Sequence, residues 1–142
     1  MAREEVRVEA RSPAPPEAVF ALVADGARWP GCTPLGSFAL EAPATIDEVG
    51  AVRIFRTGLV RSKERVVVSD PPRHFAYELV SGLPLRDYRA DIELEPDGDG
   101  TLVRWRCSFT PKLAGTGWLF RSFLAVVLGH CARGIAAGAA RT

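Results

Sequence analysis

An α+β fold, an antiparallel sheet covered by one long C-terminal helix, follows from three features of this 142-residue chain. Short segments of alternating polar and apolar residues run from Val52 to Phe109. Glycine, proline and aspartate clusters separate them, as between hairpin strands. After Pro111 the alternation stops, and an apolar stretch with helical spacing runs from about Leu113 or Thr116 to Ala140. A sheet with one apolar face must cover it, and one long helix is the cover available.

The elements follow in order. Val6, Val8 and Ala10 alternate with Arg7, Glu9 and Arg11 in a half-buried first strand. Ser12–Pro16 stops it, and Pro16 suits the first turn of a short helix over Glu17–Ala24. Asp25-Gly26 ends that helix, and a turn-rich passage from Trp29 leads to a strand at Ser37–Glu41.

The next hairpin is registered by its turn. Gly58-Leu59 between Thr57 and Val60 fits a two-residue type II′ turn. That register sets Phe55 opposite Ser62 and Arg53 opposite Glu64. The other face carries Arg56 with Arg61, Ile54 with Lys63 and Val52 with Arg65, and so basic a face belongs in water. The inner face is then Arg53, Phe55, Thr57, Val60, Ser62, Glu64, Val66 and Val68. A slip of one residue would invert it.

Beyond Pro71-Pro72, Phe75, Tyr77, Leu79 and Ser81 point inward. Tyr88, Ala90, Ile92 and Leu94 continue the inner face. Pro96–Gly100 is a hairpin turn, and Val103, Trp105, Cys107 and Phe109 complete the sheet. On the final helix, Leu119, Phe123, Val126, Val127, His130 and Gly134 trace an apolar stripe with one polar step. No repeat or linker interrupts residues 1–142, so a single domain is expected.

Composition narrows the function. Charged residues make up 25% and the net charge is +1, so no broad field attracts nucleic acid or an anionic membrane. Arg121, His130 and Arg133 break the C-terminal apolar stretch, so no stable membrane insertion is expected. The N-terminus lacks a secretory signal, and Cys32, Cys107 and Cys131 have no CxxC spacing. Reduced thiols in a cytoplasmic protein are expected. With only His74 and His130, no metal site is expected. No dinucleotide or phosphate-binding loop implies a cofactor, and no nucleophile elbow is present.

One residue conflicts with a packed interior. Glu64 shares its face with apolar side chains, and a buried carboxylate is costly unless it is paired or faces a wet cavity. A hollow interior accommodates it.

The segments Val49–Arg53, Lys63–Val66, Asp87–Ala90, Thr101–Trp105 and Phe109–Pro111, in this order and spacing, resemble the polyketide cyclase/dehydrase branch of the START-like, Bet v 1-like (SRPBCC) superfamily. The resemblance spans Val6 to about Ala140. It implies the helix-grip fold, a seven-stranded antiparallel sheet wrapped around a long C-terminal helix and enclosing an apolar cavity. Within the same superfamily, Glu64 and Tyr88 resemble the pocket glutamate and tyrosine of plant abscisic acid receptors. The receptors' gate sequence occurs here as Ser81–Pro84, in a later loop, so a hormone-receptor mechanism is not implied.

Each candidate has a plainer alternative. Arg53 and Glu64 form either a ligand-binding polar pair or a structural ion pair. Tyr88 either bonds a ligand or is a core tyrosine with its hydroxyl satisfied. Trp29 either closes the cavity mouth with Phe38 or plugs the short helix against the sheet. His130 is the one histidine placed to reach a cavity; a general base needs a partner within reach, and a satisfied helix histidine is the simpler reading. Cys131 faces another direction, and His74 is solvated.

The function expected is binding of a small hydrophobic, partly oxygenated ligand: a lipid, polyketide or isoprenoid. Arg53, Ser62, Glu64, Tyr88 and His130 would supply polar contacts. Phe55, Val66, Tyr77, Leu79, Ile92, Val103, Trp105, Phe123 and Val127 would supply burial. The alternative is a polyketide aromatase/cyclase or dehydratase, with Glu64, Tyr88 or His130 moving protons. A lipid carrier whose helix meets a bilayer is a third reading, which the small net charge disfavours. The protein would act as a monomer or homodimer.

Overall fold

Seven strands pair in the order β1-β7-β6-β5-β4-β3-β2, every neighbour antiparallel. The computed structural model describes residues 3–141. β1 (Glu4–Ser12) leads into α1 (Pro16–Val23) and a 3-10 helix (Gly26–Gly31). β2 (Ser37–Leu40), β3 (Val52–Thr57), β4 (Val60–Asp70), β5 (His74–Ser81), β6 (Leu85–Asp97) and β7 (Gly100–Pro111) follow, then α2 (Gly117–Ala140). The helix-grip architecture expected from the sequence is the one observed.

The β3–β4 register is the one its turn predicts, with Thr57 opposite Val60, Phe55 opposite Ser62 and Arg53 opposite Glu64. Gly58 supplies the positive φ, 59°, that the first loop position of a II′ turn needs. Further along the sheet, strict alternation fails twice. An extra residue in β4, Val67, shifts the pairing so that Val68 lies opposite Ala76. An extra residue in β5, Val80, sets Ser81 opposite Lys63. Val68 and Ser81 therefore leave the inner face assigned to them, because each bulge reverses the alternation beyond it. A third irregularity, between Arg86 and Arg89, contains Asp87 at φ 52°.

The core lies between the concave face of the sheet, α1 and α2. Phe55, Phe75, Ile92, Val103 and Phe109 from the sheet are buried with Val19, Leu22, Val23 and Ile135 from the helices. Buried hydroxyls fasten the strand ends: Ser12 donates to the Ala136 carbonyl at 2.7 Å and Thr101 to the Ala14 carbonyl at 2.8 Å.

α2 is turned from the expected orientation. Its buried residues are Leu124, Leu128, Cys131, Ala132, Ile135, Ala136 and Ala139, while Leu119, Phe123, Val126 and His130 are exposed. The buried row is the expected row moved by one residue, roughly 100° around a helix of 3.6 residues per turn. Two glycines account for the orientation. A Cβ on Gly134 would lie 1.8 Å from the Cys32 carbonyl oxygen, and one on Gly138 would lie 3.1 Å from Leu22 and Cys32 side-chain carbons. These glycines let α2 sit against the 3-10 helix and α1, which fixes its rotation. By length and composition α2 is apolar enough to cross a membrane, contrary to the sequence reading, but half of its most apolar window is buried as the core helix.

Gly134→Ala should therefore destabilise the protein by about 1–3 kcal/mol, despite alanine's better helix propensity, because the added methyl meets backbone. Urea unfolding of the two proteins measures it; a loss under about 0.5 kcal/mol would mean the helix shifts freely.

Candidate functional site

The inner face of the sheet is not filled. A cavity of about 300 Å³ lies between β3–β7 and the first half of α2. Of the residues expected to face a ligand, Ser62, Glu64, Tyr77, Leu79, Tyr88, Trp105, Phe123 and Val127 line it. Six others do not. Phe55, Val66, Ile92 and Val103 are buried in packed core, where aromatic rings and α1 fill the space in front of them. His130 is exposed, with Nδ1 3.3 Å from Arg133 Nη2, because the rotation of α2 carries it off the cavity.

Arg53 is the sixth. No ion pair joins it to Glu64 among the described residues, although the two are register partners. Its Nε is 2.8 Å from Asp47 Oδ1, and Nη2 donates to the Val23 carbonyl at 3.1 Å. Its guanidinium lies 5.1 Å from the Trp29 ring centroid and 4.7 Å from that of Phe75. Asp47 also accepts from the Gly26 amide at 2.8 Å. The side chain thus turns toward α1 and away from the cavity, drawn by a carboxylate and two aromatic faces.

The sequence reading left several lining residues unassigned to the ligand. Thr57 and Val60 had been placed on the inner face only, while Pro34, Leu35 and Leu83 come from loops with no periodicity to read. Leu124, Leu128 and Cys131 come from α2; their i, i+4, i+7 spacing is the signal that the displaced stripe obscured. Cys131 was expected to face elsewhere. Trp29 both lines the cavity and plugs the core: it stacks on Phe55 (5.5 Å, 21°) and meets Trp105 edge-on (5.5 Å, 66°). Its indole N–H donates to the Leu22 and Val23 carbonyls. Phe38 packs on the far side of Phe55 at 5.6 Å. His74, expected to be solvated, is part-buried with Nε2 2.7 Å from Asp91 Oδ2.

The electrostatics follow from enclosure. Burial pushes the Glu64 carboxyl up to about 7, with the positive charge of Arg53 pulling partly back. Tyr77 and Tyr88 stand with ring centroids 6.3 Å apart and their hydroxyls in contact. Burial, reinforced by nearby Glu64, raises both phenols well above their usual range. Cys131 is pushed up to about 12 by burial, so it is a neutral thiol. The indole Nε1 of Trp105 is buried without a hydrogen-bond partner. The site is thus an apolar chamber with one titratable carboxyl and two phenols on its wall. Among the described residues, no cluster of three histidine, cysteine or acidic side chains is placed to hold a metal.

Residues 3–141 match the family model described as polyketide cyclase / dehydrase and lipid transport. The chain belongs to that family. No curated protein matches it. Among solved structures, the family's sheet and helix are shared by norcoclaurine synthase from Thalictrum flavum (14% identity, TM-score 0.77, 95% of this chain and 85% of that one). A START superfamily protein from Mycobacterium smegmatis is similar at 16% identity and TM-score 0.76, covering 90% and 91%. The XoxI protein from Bacillus cereus is similar at 19% identity and TM-score 0.76, covering 95% and 93%. At these identities the likeness is one of fold.

Two predictions follow from the charges. Glu64 holds its proton more tightly folded, near pH 7, than unfolded, where a glutamate carboxyl titrates near 4.5. Its contribution is full below pH 4.5 and is lost as pH rises through 7, on the order of 2–3 kcal/mol. Glu64→Gln should accordingly match the wild type at pH 4.5 and exceed its stability at pH 8; denaturant midpoints at both values test this, and equal midpoints at pH 8 would refute it. Asp47→Ala leaves a buried guanidinium uncompensated and should cost about 3 kcal/mol. Adding Arg53→Met to that variant should recover much of the loss in thermal unfolding.

Proposed function

We propose that the protein binds a small hydrophobic, partly oxygenated molecule, such as a lipid, polyketide or isoprenoid, inside the cavity. The observation that carries this reading is an apolar cavity of about 300 Å³, partly open to solvent, whose wall sets the Glu64 carboxyl and the Tyr77 and Tyr88 phenols among apolar side chains. Apolar surface of this extent left facing water is unfavourable, and an apolar ligand that covers it recovers that free energy. Leu79, Leu83, Leu124, Val127 and Leu128 supply apolar contact. Ser62, Glu64 and the Tyr77–Tyr88 pair supply hydrogen bonds. The norcoclaurine synthase structure is a complex with dopamine and hydroxybenzaldehyde, which supports small organic molecules as occupants of such a fold. Three free cysteines accord with a cytoplasmic setting.

A second reading, proton-transfer catalysis on the bound molecule in the manner of a cyclase or dehydratase, is favoured by one observation. A carboxyl that titrates near 7 beside two phenols can take and return a proton at neutral pH. His130, lying off the cavity, has no part in it.

Extraction of the denatured protein and mass spectrometry should release a hydrophobic small molecule in stoichiometric amount. Leu79→Trp, which fills the chamber from its wall, should reduce retention of that molecule and of the neutral dye Nile red by at least 10-fold. Unchanged retention in that variant would place binding elsewhere.

A further inference from the structure

We propose that the polar end of the ligand is a protonated amine held by Glu64, so that the cavity selects hydrophobic amines over matched alcohols and discriminates against carboxylic acids. This deepens, and rests on, the reading of the cavity as a ligand chamber. The first support is the charge inventory of the wall. Among the described residues Glu64 is its only carboxyl, and no lysine, arginine or histidine lines it. The nearest cation, Arg53, lowers the cost of the Glu64 charge from a distance but is ion-paired to Asp47 and clamped between Trp29 and Phe75, with Nη1 buried and unbonded. Glu64 is therefore the one charge in the region left without a partner of its own.

The second support is the aromatic content. Trp29, Tyr77, Tyr88, Trp105 and Phe123 all line the chamber. Ring faces attract cations, most strongly where water is excluded. A carboxylic acid entering the same space sets two carboxyl groups together, so one of them must stay protonated at a cost in affinity. An alcohol escapes that cost but gains no charge pairing.

The third is proton linkage. Glu64 is faced by Arg53 from β3, Tyr77 from β5, Tyr88 from β6 and Cys131 from α2. The guanidinium stays charged, while burial keeps the phenols and the thiol neutral. Only Glu64 among them changes charge between pH 5.5 and 8.5, whereas an alkylammonium, titrating near roughly 10, does not. Amine affinity then rises across that interval as Glu64 ionises.

The test uses 4-phenylbutylamine, 4-phenylbutanol and 4-phenylbutyric acid, which share one apolar body, titrated calorimetrically into the full chain at pH 5.5, 7 and 8.5. At pH 8.5 the amine should bind at least 10-fold more tightly than the alcohol, and the acid weakest. Amine affinity should increase roughly 10-fold or more from pH 5.5 to 8.5, with the alcohol flat. In Glu64→Gln the amine should bind no more tightly than the alcohol at any pH. Amine binding independent of pH in the wild type, an acid as tight as the amine, or a preference surviving Glu64→Gln overturns the proposal. The wild-type pH series decides alone if the variant does not fold. Alcohol binding without any amine advantage defeats the amine assignment and leaves the ligand chamber standing; binding of none of the three defeats both.

Discussion

The buried guanidinium of Arg53 is the contact around which the site is organised. It joins β3 to the end of α1 through the Val23 carbonyl, and to the β2–β3 connection through Asp47. It also lies against Trp29 of the 3-10 helix and Phe75 of β5. A charge removed this far from water is tolerated because a carboxylate, a carbonyl and two ring faces replace most of its hydration, with Nη1 alone left unbonded. Gly26 approaches the same cluster so closely that a Cβ there would lie 3.1 Å from Arg53 Nε and 2.5 Å from a Phe38 ring carbon. Trp29 is thereby fixed in place, and with it one wall of the cavity.

The chamber stays open because the elements around it are held by other contacts. α2 is drawn toward the 3-10 helix and α1 through Gly134 and Gly138, and its second half packs closely. The first half extends over the sheet, where Phe123, Leu124, Val127 and Leu128 face the void, with Cys131 one turn beyond. On the sheet side, β4 and β5 carry their two bulges beside the void, where bulges add local twist. Glu64 sits beside the β5 bulge, so its carboxyl belongs to the region where sheet and helix part.

Much of this was legible in the sequence, for physical reasons that can be named. Gly58 in a two-residue loop fixes the β3–β4 register, and a register cannot slip without burying Arg56, Lys63 and Arg65. Glu64 was found on the inner face by that argument alone. The opposite alternation in Tyr88–Leu94 likewise needed only period two. What was illegible was nonlocal. Arg53 and Glu64 share a register position, but Asp47, in a loop without periodicity, captures the guanidinium. The rotation of α2 depends on glycines meeting the Cys32 carbonyl, a contact spanning a hundred residues of chain. Val67 and Val80 carry no mark that distinguishes a bulge from an ordinary strand valine.

The exposed Trp118, Leu119, Phe123 and Val126 show what the placement of α2 means mechanically. The helix is mounted like a cantilever. Its C-terminal half is anchored in a glycine-lined seat where even a methyl has no room. The chamber begins beneath its second turn, and among the described residues one ion pair, Arg121 with Glu4 at 2.6 Å and part-exposed, ties the helix start to the sheet. Such a pair contributes about 0–1 kcal/mol. Resistance to displacement is thus graded along one continuous helix, stiff beside Arg53 and compliant above Glu64, so the chamber's roof can yield without loosening its foundations.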